Sequence, residues 1–137
     1  YPAGINTMDY ITISTTGNAS DFGDLTTQIW WNASACNAVR GLSMGQSPAG
    51  NLVDFVTITT LGDAKDFGDL TVARRGGFGA SSKTRAVLMT GYADPAYTTA
   101  IDQHEIMSTG DFIDFSDSTV NRAFGTSGVS SNGHGGL

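Results

Sequence analysis

One stretch of sequence occurs twice in closely similar form, and it decides the fold class. Asp9-Tyr10-Ile11-Thr12-Ile13, followed by Asp21-Phe22-Gly23-Asp24-Leu25-Thr26, returns as Asp54-Phe55-Val56-Thr57-Ile58 followed by Asp66-Phe67-Gly68-Asp69-Leu70-Thr71. Residues shared by the copies of a repeat are usually the scaffold of the repeated unit. The repetition therefore indicates architecture more directly than it indicates chemistry.

A third, more divergent copy extends the pattern. It has Asp102, Ile106, Gly110, Asp114 and Phe115 in the same order. From Asp9 to Asp54 to Asp102 the copies are 45 and then 48 residues apart. A period of this length is typical of propellers, solenoids and repeat arrays, with one supersecondary unit per copy.

Each copy predicts four short strands, separated by turns rich in Gly, Asn, Ser and Thr. Sustained helical periodicity is missing from the sequence, which disfavours a helical solenoid. Four strands at this period are typical of a propeller blade. The first copy places these strands at 10–14, 22–26, 32–36 and 41–45, and the second copy places its third and fourth strands at 76–81 and 85–92.

We therefore expect an all-β fold of three four-stranded blade repeats, as part of a larger propeller or array. The chain begins and ends within the register of the repeat, so a longer array, or a neighbouring chain that completes a blade, is expected. The predicted divisions of the single repeat domain 1–137 are the end of a preceding blade, blade repeat 1, blade repeat 2 and a degenerate, truncated blade repeat 3, at 1–4, 5–50, 51–98 and 99–137.

Side-chain alternation makes two further predictions. Ile11 and Ile13 share one face of the first strand and Tyr10 lies on the other, so this strand should be covered on both faces. The corresponding strand of the third copy, around 103–105, reads Gln-His-Glu. We expect that more polar strand to be edge-like, or to face solvent or a partner.

The composition narrows the classes of function. The formal net charge is −6 and Lys65 and Lys83 are the two lysines, which argues against a nucleic-acid partner and an anionic membrane surface. No apolar run in the sequence approaches membrane-spanning length, so membrane insertion is not expected. Cys36 is the single cysteine, so no internal disulfide is possible, and we predict that it is a small buried hydrophobe.

The unit resembles a divergent kelch repeat. The resemblance rests on the Asp-Phe-Gly-Asp-Leu segment, on Arg74 and Arg122 at the position of the kelch arginine, and on the glycine-ended apolar strand at Gly91-Tyr92. Ile29 departs from the pattern, since it stands where the first copy should have its arginine. More specifically, the repeated sequence Asp-Tyr-Ile-Thr-Ile followed by Asp-Phe-Gly-Asp-Leu-Thr is similar to that of tandem kelch-like arrays in marine bacteriophage structural proteins. Those arrays occur in tail-fibre, appendage and capsid-surface proteins. The resemblance implies β-propeller blades with a structural role.

Candidate site residues are few. Trp30 and Trp31 break the repeat, and exposed aromatic side chains are common anchors for sugar or protein partners. The alternative, that one of the two fills a gap between blades, is equally compatible with the sequence. We predict no metal site, because carboxylates at strand ends more often cap turns than bind calcium. The pairs weighed for calcium are Asp21 with Asp24, Asp66 with Asp69, and Asp114 with Asp117.

Catalytic chemistry is not predicted. His104 and Glu105 are neighbours in a strand and point to opposite faces, and His134 has no partner nearby in the sequence. Cys36 has no positional link to either histidine, so a Cys–His pair is not expected. No catalytic residue and no cofactor is assigned.

The expected function is that of a non-enzymatic structural and adhesion protein of a virion, as a tail-fibre, appendage or capsid-surface component. Expected partners are other virion proteins, further copies or blades of the same protein, and a glycan or protein of the host surface. The expected location is the virion surface or the extracellular space. The alternative is a carbohydrate-binding module of a secreted or surface bacterial protein; a propeller enzyme is the least favoured reading.

Overall fold

The structure of the chain is a computed structural model that describes residues 4–48 and 50–125. These residues form β-strands and turns without a helix, so the all-β prediction is confirmed. The strands are β1 Ile5–Tyr10, β2 Ser20–Ile29, β3 Ala33–Cys36, β4 Arg40–Gln46, β5 Gly50–Thr57, β6 Lys65–Arg74, β7 Phe78–Ser81, β8 Arg85–Ala93, β9 Ala96–Glu105 and β10 Ile113–Asp117.

The strands form three antiparallel sheets in which consecutive strands are neighbours. Sheet 1 pairs β1 with β2, sheet 2 has the order β3–β4–β5–β6, and sheet 3 has the order β7–β8–β9–β10. Sheets 2 and 3 are therefore simple meanders. Because short turns suffice to join adjacent antiparallel strands, a sequence with frequent turn residues folds readily in this way.

The sheets and the sequence repeats are out of phase. The predicted boundaries at 50/51 and 98/99 fall inside β5 and β9, whereas the chain passes from sheet 2 to sheet 3 between Arg74 and Phe78. Each four-stranded sheet combines the last two strands of one copy with the first two strands of the next. The period of a repeat fixes the length of its unit, but it does not fix the strand with which a sheet begins.

The predicted strand over residues 10–14 is wrong. The strand lies earlier, and it pairs Asp9 with Asp21 and Tyr10 with Ser20. Ile11 and Ile13 follow the end of β1 and are 62% and 95% exposed. β-Branched composition favours an extended chain, but within the described residues no neighbouring strand pairs with this segment.

The expectation of an edge-like strand in the third copy is also wrong. β9 lies in the interior of sheet 3, hydrogen-bonded to β8 on one side and β10 on the other. Its Asp102 is fully buried, and the ring of His104 packs edge-on against Phe67 with 5.3 Å between centroids. Asp102 and His104 are accommodated here because sheet 2 supplies contacts to both side chains, which a strand's own composition does not reveal.

The hydrophobic core lies between sheets 2 and 3. Small residues on the short strands β3 and β7 allow the two sheets to approach, and larger side chains from β4, β6 and β8 fill the space between them. The buried members of the core are Ala33, Ala35, Leu42, Met44, Val53, Phe67, Leu70, Ala86, Leu88, Ile106 and Phe112.

Some sequence predictions fall outside the described residues. They are the preceding blade end at 1–3, the position of His134, and the start of a fourth strand in the third copy at 134–137.

Gly23 and Gly68 are required where each Asp-Phe-Gly segment contacts the next sheet. Both have φ near +144°, in the region that favours glycine (143° and 144°). A Cβ at Gly23 would lie 2.5 Å from the carbonyl oxygen of Gly62, and a Cβ at Gly68 would overlap the carbonyl group of Gly110. The repeated Phe-Gly dipeptide is therefore explained by close backbone approach between sheets.

We expect Gly68→Ala to lower the free energy of unfolding by about 2 kcal/mol or more, because the substitution adds backbone strain and a steric overlap. Gly17→Ala is the matched control, since nothing lies within 4 Å of a Cβ at that glycine. Urea unfolding of both variants measures the difference. Equal stability of the two variants would contradict the assigned role of Gly68.

Candidate functional sites: an inter-sheet contact and an aromatic patch

The outer strands of sheets 1 and 2 each dock on a turn of the following sheet through their backbone. The amide of Gly110 donates to the carbonyl oxygen of Phe67 at 2.8 Å, and the amide of Phe112 donates to that of Asp69 at 2.7 Å. We call residues 21–26 and 66–71, which carry the Asp-Phe-Gly-Asp-Leu-Thr sequence, the docking segments. The first docking segment makes the same two bonds at 2.8 Å, from Gly62 to Phe22 and from Ala64 to Asp24.

An aspartate in each of these turns strengthens the contact. The Oδ1 atom of Asp111 accepts a hydrogen bond of 3.0 Å from the amide of Asp69, and the Oδ1 atom of Asp63 accepts one of 3.0 Å from the amide of Asp24. Hydrogen bonds from an amide to a carboxylate are stronger than those between neutral groups. The turn therefore holds both the carbonyl and the amide of the same docking residue.

A second aspartate, on the strand before the turn, receives the end of each docking segment. Asp102 accepts from the amide of Thr71 at 3.0 Å and from its hydroxyl at 2.6 Å. Asp54 accepts from the amide of Thr26 at 3.0 Å and from its hydroxyl at 2.8 Å. We call Asp54 and Asp102 the acceptor aspartates; they are 3% and 0% exposed.

The two acceptor aspartates differ in their ionic partner. Arg74 lies 3.1 Å from Asp102, between Nη1 and Oδ2, and both side chains are fully buried. Arg74 also donates to the carbonyl oxygen of Leu88 at 3.1 Å. Burial lowers the pKa of the Arg74 guanidinium below its ordinary value, while the Asp102 carboxylate acts in the opposite direction. Ile29 occupies the arginine position of the first copy, so Asp54 has no equivalent ion pair among the described residues.

Sequence reasoning used Asp54 and Asp102 as markers of the repeat but assigned them no role, and it did not single out Asp63 and Asp111. The signal was present, because Gly-Asp at 62–63 and 110–111 recurs with the period of the repeat. Among the described residues, no three His, Cys, Asp or Glu side chains are grouped so that they could hold a metal ion. The acceptor and turn aspartates accept hydrogen bonds from backbone amides instead.

Trp31 does not break the repeat at the level of the backbone. Trp31, Gly76 and Phe124 have φ of 62°, 62° and 56°, so the three copies share one left-handed position. The amide of Gly76 donates to the carbonyl oxygen of Trp31 at 2.8 Å, and the amide of Phe124 donates to that of Gly76 at 2.9 Å. These bonds join the three copies in a row. Trp30 is half-buried beside them, so the two tryptophans have different environments.

Trp31 is part of an exposed group of aromatic side chains. We define the aromatic patch as Trp31, Arg75, Tyr92, Tyr97 and Phe124. Trp31 meets Phe124 edge to face at 5.2 Å, and Tyr92 meets Tyr97 at 5.3 Å. The Arg75 guanidinium lies 4.8 Å from the ring centre of Tyr92 and 5.9 Å from that of Trp31. Between two-fifths and one-half of Trp31, Tyr97 and Phe124 is exposed.

The chemistry of the aromatic patch suits a ligand with both apolar and polar faces. Asp94 lies 3.6 Å from Arg75 and is exposed at the edge of the patch. Burial, together with the Asp94 carboxylate, raises the pKa of the Tyr92 hydroxyl above its ordinary value. Aromatic faces with nearby hydrogen-bonding groups are typical of sites that bind sugars and protein side chains.

The remaining candidate residues have structural environments. The His104 ring packs between Phe67 and Phe112, and its Nδ1 atom lies 3.0 Å from the carbonyl oxygen of Glu105. Cys36 is a free thiol of intermediate exposure, so the prediction that it is buried holds only in part. Its carbonyl oxygen accepts a hydrogen bond of 2.7 Å from the Ser81 hydroxyl, which joins β3 to β7.

Comparison with protein-family models and with curated proteins gives no match for this sequence. A search of the described residues finds no helix with the length and apolar character that crossing a bilayer requires.

The two acceptor aspartates provide a matched test of the buried ion pair. Asp102→Ala removes the hydrogen bonds of Thr71 and leaves Arg74 buried without its counter-ion, so we expect a loss of roughly 3–5 kcal/mol in the free energy of unfolding. Asp54→Ala removes only the equivalent threonine bonds, and we expect a loss of about 1–3 kcal/mol. Chemical denaturation measures both losses. A larger loss for Asp54→Ala than for Asp102→Ala would contradict this assignment.

Proposed function

We propose that this protein is a non-enzymatic structural and adhesion component of a virion, located in a tail fibre, an appendage or the capsid surface. The observation that carries the proposal is the inter-sheet contact, which recurs from sheet 1 to sheet 2 and from sheet 2 to sheet 3 with equivalent residues. Such contacts allow sheets to be added in a row, which is a property of proteins that assemble into extended or closed surfaces.

The proposal includes the reading of sheets 2 and 3 as propeller-type blades of the kelch kind. Two features support it: each sheet is a four-stranded antiparallel meander, and the first strands of adjacent sheets, β3 and β7, pack closely together. The Arg74 position, which prompted the kelch resemblance, holds the buried ion pair between sheets. Propeller blades pack face to face in this manner.

The use of the buried charged groups favours a structural role over catalysis. Arg74, Asp54 and Asp102 are buried, and each contacts a neighbouring sheet. Their interactions stabilise packing, which is the usual role of a buried charge that is paired and hydrogen-bonded. In this proposal the partners are other virion proteins, further copies of the same unit, and a host-surface glycan or protein.

The second candidate function is that of a carbohydrate-binding module in a secreted or surface bacterial protein. The aromatic patch favours it, because Trp31, Tyr97 and Phe124 are exposed together beside the Arg75 and Asp94 pair. Both candidate functions place the protein outside the cell. They differ in whether it belongs to a particle or to a bacterial surface.

Immuno-electron microscopy distinguishes the two candidates. Antibodies raised against the folded chain are applied to a marine virus concentrate and to the bacterial fraction of the same sample. We expect labelling of fibres, appendages or capsid surfaces on phage particles. Labelling confined to bacterial envelopes or to secreted material would reject the virion assignment and favour the second candidate.

Adhesion through the aromatic patch is tested with Trp31→Gly. Gly76 has the same φ at the equivalent position, so relief of the left-handed strain should offset the lost ring contacts, and we expect stability to change by less than about 1 kcal/mol. Binding of the labelled protein to glycan arrays and to host cells should fall strongly.

Leu61→Ser is the control for that variant, because it removes an exposed apolar side chain outside the aromatic patch. It should bind as the unmodified protein does. Undiminished binding by a folded Trp31→Gly variant would show that the patch is not the adhesive surface.

A further inference from the structure

The inter-sheet contact has two halves, and sheet 1 carries a receiving half on which no docking segment lies among residues 4–48 and 50–125. Asp9 aligns with the acceptor aspartates Asp54 and Asp102, and it is exposed where they are buried. Gly17-Asn18 aligns with Gly62-Asp63, and it is likewise exposed. The carbonyl oxygen of the Asn18 side chain can accept the hydrogen bond that the turn aspartates accept. Sheet 1 therefore presents the groups that would receive a docking segment.

Sheet 3 carries the docking half, which no following sheet covers within the described part of the chain. β10 and the residues after it, Asp114-Phe115-Ser116-Asp117-Ser118-Thr119, align with the docking segments and are mostly exposed. Arg122 stands at the position of Arg74 and is also exposed. In the contact between sheets 2 and 3 the equivalent Thr71 and Arg74 both bind one acceptor aspartate. Thr119 and Arg122 therefore present the complementary groups for Asp9.

The outer strand of sheet 3 is shorter than its counterparts. β2 and β6 each run for 10 residues and are covered by a following sheet, whereas β10 runs for 5 residues. A following sheet provides the hydrogen bonds that hold the second half of β2 and β6 in place. The length of β10 is what we expect of an outer strand whose docking residues have no such partner among the described residues.

The docking end on sheet 3 also presents apolar surface. A cleft of 610 Å³ on sheet 3 is lined by Phe78, Met89, Thr90 and Arg122, among other residues. The Thr90 hydroxyl is buried there, with no hydrogen-bond partner among the described residues. Exposed apolar surface of this kind commonly marks an interface.

We propose that this chain associates head to tail with a second copy of itself, with β10 of one copy docked on sheet 1 of the next. Thr119 and Arg122 then contact Asp9 of the next copy, and the amide of Asp117 donates to the side chain of Asn18. The occupant is a second copy because the interface continues the contact between sheets 2 and 3. The threonine, the arginine and the acceptor aspartate recur at the equivalent positions, with opposite charges at Arg122 and Asp9. The inference deepens the proposed structural function, on which it rests, by naming its partner.

Ser116 limits the strength of this contact. It stands at the position of Gly23 and Gly68, where a Cβ would meet the backbone of the next sheet. The Phe115 carbonyl of one copy therefore approaches the Gly17 amide of the next less closely than its internal counterparts do. The association is weaker than the internal contacts, and Ser116→Gly should strengthen it.

Charge reversal tests the interface and its direction by sedimentation velocity over a range of concentrations. The unmodified chain should self-associate, and Arg122→Glu or Asp9→Arg alone should raise the dissociation constant by about tenfold or more, because each places like charges together. An equimolar mixture of the two variants should associate again, since the introduced glutamate of one variant then meets the introduced arginine of the other. The control is Lys83→Glu, which makes the same charge change on an exposed turn and should have no effect.

The outcomes separate this inference from the proposed function. The head-to-tail interface is supported if Ser116→Gly strengthens association and each charge reversal alone weakens it. Mixing the two charge-reversal variants should then restore association. If both the unmodified chain and Ser116→Gly remain monomeric at about 0.5 mM, the proposal is overturned. Association would then be worth less than about 4.5 kcal/mol of free energy. Association insensitive to both charge reversals would also overturn the proposal. Circular dichroism confirms that each variant is folded, and labelling of virus particles remains an independent readout of the virion assignment.

Discussion

The fold depends on a hydrogen bond between an aspartate of one sheet and a backbone amide of the sheet before it. Asp54 and Asp102 each receive the amide and hydroxyl of a threonine that ends a docking segment. A carboxylate removed from water must be hydrogen-bonded or paired, so these side chains are stable only when the neighbouring sheet is in place. Sheet packing is thereby specified in register, which apolar contacts alone would define less strictly.

Other features of the repeat follow from this constraint. Glycine is needed at Gly23 and Gly68 because the docking backbone runs so close to the next turn that a side chain would collide with it. Arg74 then adds an ion pair to one of the two contacts, whereas Ile29 leaves the other without it. The two contacts are alike in geometry and unequal in charge, and this inequality makes the contribution of the ion pair measurable within one molecule.

The sequence predicted the all-β class and the positions of most strands, because the 45-residue spacing and the turn residues report local structure. The sequence misplaced the strand at 10–14, because Ile11 and Ile13 are β-branched and apolar like buried strand residues, although both are exposed. It also treated Trp31 as outside the repeat, because Trp, Gly and Phe share no chemistry and are related only by a common backbone angle. The role of Asp102 was hidden because its partners Thr71 and Arg74 are remote in sequence.

Amide hydrogen exchange measured by NMR on the dilute protein tests the central claim most directly. If the aspartates hold the sheets together, the amides of Thr26 and Thr71 should be strongly protected, although both residues are exposed at an outer strand. The amide of Thr119, which follows β10 at the equivalent position of the third copy, should exchange rapidly. Rapid exchange at Thr26 and Thr71, as fast as at Thr119, would contradict the account.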